Sequence, residues 1–332
     1  MNILDKIGNT PLLKLNKINN VPGVDIYAKC EFMNPGGSIK DRMALRMIQG
    51  AESRGDLKMG GTIIDQSTGN TGPALAFVGA VKGYRVKLFM PAQLSSSYNP
   101  ADRIKIAKLY GCEVTAVDLE EYIPDAVELS DVERAAAFVA IRMKYCFDFQ
   151  ENDPSVWWAN QLCNPDNAAA HRDGTGAEIL EGMGGEIDAW VASVGTGGTL
   201  LGAAQALQEA NPALKISGVL PEDDQRIEWV RSGFVQKYLE RFGMPRMKFL
   251  IEDILDRDIL DNVITVPNED AKRMADRLCK EEGLFCGISS GANVYAALQL
   301  AKNMPEGSRI ATVLVDRRDR YFAEYPNEHY VV

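Results

Sequence analysis

The 332-residue chain has only two histidines, His171 and His329, and neither stands near a GxSxG turn. A Ser-His-Asp hydrolase would have to use one of them, so that chemistry has no visible seat. Both read as solvated loop or core packing. Six cysteines (Cys30, Cys112, Cys146, Cys163, Cys279 and Cys286) are scattered without a CxxC pair. Their spacing lacks the pattern of a zinc site or a disulfide framework and suits reduced, packed thiols in a cytoplasmic protein. No metal is expected. No apolar run reaches the roughly eighteen residues a bilayer span needs. The opening MNILDKIGNTPLL shows no basic segment followed by an apolar one, so no signal peptide is expected. GxxxxGK[ST] is missing, which removes the P-loop. Cations are also in deficit, with 36 Lys and Arg against 46 Asp and Glu and a net charge of −10. Phosphate backbones and anionic membranes need the opposite balance, so neither nucleic acid nor membrane is an expected partner.

What is present is an ordinary globular composition, 46% apolar and 25% charged, in a chain long enough for two α/β lobes. Strand, glycine turn and helix alternate. GTIIDQ (61–66), RVKLFMPA (85–92), CEVTAVD (112–118), IDAWVASV (187–194), LKISGVLP (214–221) and IATVLVD (310–316) read as buried strands. Helical runs such as PALAFVGAVKG, ADRIKIAKLYG and LLGAAQALQEA lie between them. This order predicts an α/β protein of two doubly wound lobes with mostly parallel sheets and a ligand cleft beyond the strands' carboxyl ends. An acidic, mainly helical stretch from Leu119 to Pro154 is expected to connect or cover the lobes.

Four polar glycine turns precede helices. GTGGT (195–199) could present backbone N–H groups and the Thr196 and Thr199 hydroxyls to a phosphate or carboxylate, or it could be a bare tight turn. Gly195 and Gly197 are followed by Leu200 where a dinucleotide fingerprint wants a small residue. Glu222 after the next strand keeps a nucleotide only weakly in view. STGNTG (67–72) offers Ser67, Thr68, Thr71 and the Asn70 amide to a carboxylate, with plain capping as the alternative. In GISSGAN (287–293), Ser289 or Ser290 could be simple caps. NPGGSIKDR (34–42) sets Lys40 at a helix start, either solvated or held for chemistry. So many polar turns at helix starts are hard to explain by packing alone.

Taken in order, IGNTPLLKL, NPGGSIKDR, STGNTG, QLCNPDNAAAHRDGTGAEI (161–179), GTGGT and GISSG resemble the cysteine synthase and cystathionine β-synthase family. These are pyridoxal-phosphate enzymes of fold-type II, the tryptophan synthase β-like class. The resemblance runs from Ile7 to about Tyr321. It implies a smaller N-terminal lobe (36–158), a larger lobe (1–35 with 159–332), and pyridoxal 5′-phosphate in the cleft between them. By the same resemblance Lys40 binds the cofactor as an imine and then takes the α-proton. Gly195, Thr196, Gly197, Gly198 and Thr199 form its phosphate cup, Asn70 meets the 3′-oxygen and Ser289 meets the pyridine nitrogen. Ser67, Thr68, Gly69, Thr71 and Gln161 hold the substrate carboxylate. Asp41 and Arg42 anchor the helix. A homodimer is implied, and the partners are a small amino acid and a small nucleophile.

The implied reaction is β-replacement on a serine-derived amino acid through an aminoacrylate, most simply with sulfide. β-Elimination or water addition, as in a cysteine desulfhydrase or serine dehydratase, is the alternative, and a non-catalytic binding protein a third. A serine hydroxyl cannot keep the ring nitrogen protonated, which disfavours transamination. Three departures from the family pattern bear on substrate. The carboxylate loop reads Ser67-Thr68 where relatives have Thr-Ser. PRMKFLIEDILDRDILDN lacks the usual glycine-rich G-I-G-x-x-F-I-P loop and brings Glu252 and Asp253, which either cap or solvate a helix or send one carboxylate into the pocket to orient a water or an amine nucleophile. AQLSSSYNPADR (92–103) looks longer than its counterpart and could act as a lid. By the resemblance, Asp316 sits near where family members carry a polar residue close to the ring nitrogen. The chain closes soon after VLVDRRDRYFAEYPNEHYVV, and no regulatory domain is expected.

Overall fold

The run AWVAS at 189–193 has no polar alternation because both faces of its strand are covered. Ala189 and Val191 enter one core, while Trp190 and Ala192 enter another. The same division occurs in TIIDQ, where Ile63 and Ile64 go to different cores. Parallel strands with helices on both sides produce this pattern. The computed structural model describes residues 1–91, 100–118, 122, 123, 128–224 and 226–324.

Ten strands are present among these residues: β1 (Leu12–Lys14), β2 (Asp25–Lys29), β3 (Thr62–Gln66), β4 (Arg85–Pro91), β5 (Glu113–Val117), β6 (Val156–Trp158), β7 (Ala189–Ser193), β8 (Lys215–Pro221), β9 (Asn262–Val266) and β10 (Arg309–Val313). They form a six-stranded sheet, β1-β2-β10-β7-β8-β9, and a four-stranded sheet, β5-β4-β3-β6. Every pairing is parallel except β1 with β2. The predicted α/β architecture of two mostly parallel lobes is therefore the observed one. β1, β2, β6 and β9 were not anticipated.

Because the strands run parallel, their carboxyl ends deliver loops to the same side of each sheet. β3 ends at Gln66 and opens STGNTG before the helix Thr71–Lys82. β7 ends at Ser193 and opens GTGGT before the helix Gly198–Ala210. β10 ends at Val313 and leads to Asp316. Switch points of this kind are where α/β folds bind ligands. The acidic region contains the helix Asp131–Asn152, capped by Ser130 and Glu133, and this helix contacts β3, β4 and β6 on one side and the helix Phe234–Arg241 on the other. The loop read as a lid falls mostly on 92–99, outside the described residues.

Close helix contacts support the GTGGT turn. The helix Pro165–Ala170 and the wider π-helical turn His171–Gly176 that continues it lie against Gly198–Ala210. A Cβ on Gly202 would stand 2.0 Å from Ala168 O, and one on Gly176 would stand 2.9 Å from Ala203 Cα. Backbone cannot yield as a flexible side chain can. Gly202→Ala is expected to destabilise the fold by about 1–3 kcal/mol, read as a lower urea midpoint.

Candidate active site

Lys40 begins the helix Lys40–Arg54. The backbone before it is tied to the stretch after β10: Ile39 N donates to Val315 O (2.8 Å), Arg317 N donates to Gly37 O (3.1 Å), and Ser38 bridges Asp316. Gly37 takes φ +85°, a left-handed conformation that glycine adopts without steric cost. Lys40 keeps some surface open to the cleft, but protein surrounds its amine, and among the described residues it has no ion-pair partner. Burial pushes its ammonium down to about 8; the Arg226 guanidinium adds to the push and Asp316 opposes it. These neighbours locate the amine. Arg226 Nη1 donates to Val194 O (3.1 Å), the residue before GTGGT, and Asp316 accepts from Asn70 of STGNTG (2.6 Å).

The GTGGT turn is shaped for an anion. Gly197 has φ +93°, and a Cβ there would meet Ile254 and Ile251. The N–H groups of Gly197 and Thr199 have no acceptor among the described residues, at the positive end of a 13-residue helix. Thr196 and Thr199 are buried and held from behind. Asn167 Nδ2 donates to Thr196 Oγ1 (2.9 Å), and His171 Nε2 lies 3.2 Å from Thr199 Oγ1. Burial holds the His171 imidazole well below its usual range, with the Lys40 and Arg42 cations adding to this, so it is neutral.

In STGNTG the predicted residues divide. Ser67 is engaged within the turn, where its Oγ accepts from Gly69 N and Gly72 N, both at 3.2 Å. Thr71 donates its hydroxyl proton to Gln161 Oε1, and Gln161 Nε2 donates to Gln66 O (2.8 Å). The N–H groups of Asn70 and Thr71 have no acceptor among the described residues, which leaves a second helix terminus open to a carboxylate beside Thr68 and Gly69. Asp65 lies beneath this loop, fully buried, and accepts from Gln66 N (2.8 Å), Trp158 Nε1 (3.2 Å) and Gln161 N (3.3 Å). Burial pushes its carboxyl up to about 7.

The third turn closes the site. Ser290 is buried and accepts from Val315 N (2.8 Å), whereas the partly exposed Ser289 has no hydrogen bond among the described residues. Asp316 is fully buried, and its Oδ2 accepts from Asn70 Nδ2 and Tyr321 Oη, both at 2.6 Å. Arg320 Nη1 donates to Asn70 Oδ1 (2.9 Å). Burial raises the Asp316 carboxyl, with the two donors opposing.

Glu252 and Asp253 do not enter the pocket. Both sit in the first turn of the helix Leu250–Asp256, Glu252 against Arg246 (3.3 Å) and Gln236, and Asp253 against Lys248 (2.7 Å). Neither caps the helix with its side chain; both lie in its first turn paired with basic residues, in line with the solvated-helix reading. Glu222 accepts from Asn268 N (3.2 Å), the first residue of the helix Asn268–Arg277. Asn167, His171, Arg226, Arg320 and Tyr321 were missed as site neighbours. Asn167 and His171 stood inside the matched segment, but only their tertiary partners reveal what they do.

Comparison with known proteins gives concordant results. The sequence pattern of the family described as pyridoxal-phosphate dependent enzyme matches residues 3–316. A cysteine synthase of Staphylococcus aureus is 36% identical over 323 residues, covering 97% of this chain and 95% of that protein. A cystathionine beta-synthase of Apis mellifera is 38% identical over 339 residues; the match takes in 99% of this chain but spans only 62% of that longer protein. Among solved structures, an O-acetylserine dependent cystathionine beta-synthase from Helicobacter pylori aligns with a TM-score of 0.78 at 29% identity, covering 97% of each chain.

A pKa lowered to about 8 makes Lys40 uncharged, and therefore nucleophilic, at a pH where surface lysines are still protonated. Competitive acetylation of the cofactor-free protein, mapped by mass spectrometry, is expected to show Lys40 half-reactive near pH 8, with exposed lysines reaching that point about two units higher.

Proposed function

The chain belongs to the pyridoxal-phosphate-dependent enzyme family, and from that premise we propose that it carries out β-replacement on a serine-derived amino acid, most simply with sulfide as the incoming nucleophile. The observation that carries this reading is the placement of Lys40, without an ion-pair partner among the described residues, near Arg226 and Asp316, whose bonds to Val194 and Asn70 lead to two helix termini with open N–H groups. The residues present fit the cofactor. The GTGGT turn offers a dianion free N–H groups, two hydroxyls and the nearby Arg226. Ser289 has an unused hydroxyl for a ring nitrogen, and the Asn70 amide nitrogen has a second hydrogen for a phenolic oxygen. When bound, pyridoxal phosphate supplies an electron sink for charge released at the α-carbon of a joined amino acid.

The chain's own groups then have distinct tasks. Gly195 to Thr199 would hold the phosphate end of the cofactor, and the Lys40 amine would hold its aldehyde end. The N–H groups of Asn70 and Thr71, with Thr68 and Gly69, bind the substrate carboxylate; Thr71 and Gln161 brace that loop through their mutual bond. Ser67 shapes the turn. Lys40 Nζ takes the α-proton: with its pKa at about 8, roughly a tenth of the amine is free at pH 7, against roughly one part in three thousand at its ordinary value. Glu252 and Asp253 are paired with cations and are assigned no part in the chemistry. We further read residues 36–158 as the smaller lobe and 1–35 with 159–332 as the larger, and the protein as a cytoplasmic homodimer. The two sheets support the lobes, and buried free thiols at Cys30, Cys112, Cys146 and Cys286 support a reducing compartment.

The test offers O-acetylserine, O-phosphoserine, serine and cysteine in turn, with sulfide, and assays cysteine and pyruvate. Cysteine formation is expected, and pyruvate as the sole product would overturn the reading. Lys40→Ala is expected to lower turnover by about 10²–10⁴-fold. Glu252→Ala and Asp253→Ala are expected to leave both rate and product ratio unchanged.

A further inference from the structure

Behind the GTGGT turn lie two fully buried polar side chains, Asn167 and His171, with no role in the chemistry above. Asn167 Nδ2 donates to Gln161 O (2.8 Å) and to Thr196 Oγ1 (2.9 Å). A backbone carbonyl only accepts, so the nitrogen must face it and the amide cannot be flipped. Thr196 Oγ1 also accepts from Gly198 N (3.4 Å). Both lone pairs of that hydroxyl are thus engaged, and its proton is left to point away from Asn167. Asn167 Oδ1 has no partner and stands where a Cβ on Gly198 would be 2.1 Å away, so the amide is wedged in place.

His171 treats the second threonine alike. Its Nδ1 lies 3.0 Å from Thr175 Oγ1 and its Nε2 3.2 Å from Thr199 Oγ1. A neutral imidazole carries one N–H. If Thr175 donates to Nδ1, that N–H sits on Nε2 and points at Thr199, whose own proton is then released. In the other tautomer Thr199 would use its proton on the imidazole, so an anion in the turn selects the first. Helix packing alone does not require an amide and an imidazole here, since burying either costs free energy that an apolar residue would not. Both converge on the only two hydroxyls of the turn.

We propose that Asn167 and His171 are positioning residues of the phosphate cup, occupying the acceptor sides of Thr196 and Thr199 so that both hydroxyl protons are directed to the cofactor's phosphate. This rests on the functional reading above.

The test uses purified holoenzyme and the variants Asn167→Ala, His171→Leu and His171→Gln, the last keeping an N–H donor. The readouts are the dissociation constant of pyridoxal phosphate by equilibrium dialysis and the ³¹P resonance of the bound cofactor. Asn167→Ala and His171→Leu are each expected to weaken binding about tenfold or more and to move the resonance, with His171→Gln recovering most of both. Wild-type affinity and resonance in Asn167→Ala and His171→Leu would overturn the inference, as would His171→Gln behaving no better than His171→Leu. Wild-type protein that takes up no cofactor would overturn the functional reading, and this inference with it.

Discussion

Two residues beyond Lys40, Arg42 makes the contact on which the placement of the reactive amine depends. Its guanidinium bonds Glu31 through Nε and Nη2, both at 2.7 Å, and Glu178 through Nη1 (2.6 Å) and Nη2 (2.7 Å). Lys29 adds a second cation 2.6 Å from Glu178, giving two charges of each sign in a nearly dry place. The IGNT opening wraps the cluster: Thr10 Oγ1 donates to Glu31, Asn9 N donates to Glu178, and Gly8 N donates to Asn34, which itself donates to Glu31. Removing one member would strand a buried charge at a cost of about 3–5 kcal/mol, so the group stands or fails together. Lys29 ends β2, whereas Met43, Met47 and Ile48 of the lysine helix pack into the core beside β3. The helix start is thus bound to one sheet by charge and the helix body to the other by apolar packing, and Lys40 stands where the two meet.

Lys40 differs from Lys29 in having no carboxylate of its own. The nearest candidate, Asp316, has one oxygen taken by Asn70 and Tyr321, and its other oxygen has no partner. Among the described residues no ion pair stabilises the Lys40 ammonium, while burial and Arg226 destabilise it. An amine that must be neutral to bond a carbonyl is served by this lack of a partner. Asp41, the residue between, is buried and bonded through one oxygen to Gly36 N (2.6 Å), and its carboxyl is pushed up to about 7 by burial. It braces the Gly-Gly turn at Gly36. The Lys-Asp-Arg triplet therefore combines one amine without a carboxylate partner among the described residues with two anchors.

The parts of this arrangement carried by local chain were legible from the sequence. A helix does begin at each of the STGNTG, GTGGT and GISSG turns, because glycine and hydroxyl residues suit helix starts whatever surrounds them. The long apolar strands were legible because both faces are buried. β1 and β6 span three residues each, too few for a period to show, and β2 carries a charged residue at each end. β9 had a signal in VITV, but it stood beside an acidic segment that drew the reading toward chemistry. Partnerships were the least legible. Asn167 reaches Thr196 across 29 positions and Asn70 reaches Asp316 across 246. No local pattern encodes such pairs; they exist only once the two sheets bring their loops together.

The clearest divergence from the family pattern, at 245–262, also becomes intelligible through packing. Where the resemblance leads one to expect a glycine-rich loop, this chain forms a short helix whose Ile251 and Ile254 back Gly197 of the GTGGT turn. Phe249, Leu250, Ile251 and Ile254 all belong to the largest core, which spans both sheets. Arg246 and Lys248 pair with Glu252 and Asp253 on the side away from the turn. A segment held by four buried apolar residues and two ion pairs has little of the backbone freedom glycine supplies. It packs against the GTGGT turn at Gly197, as Asn167 and His171 bond the same turn at Thr196 and Thr199. The residues that depart from the family pattern thus lie against the GTGGT turn and in the core behind it, where they bear on how firmly that turn is held.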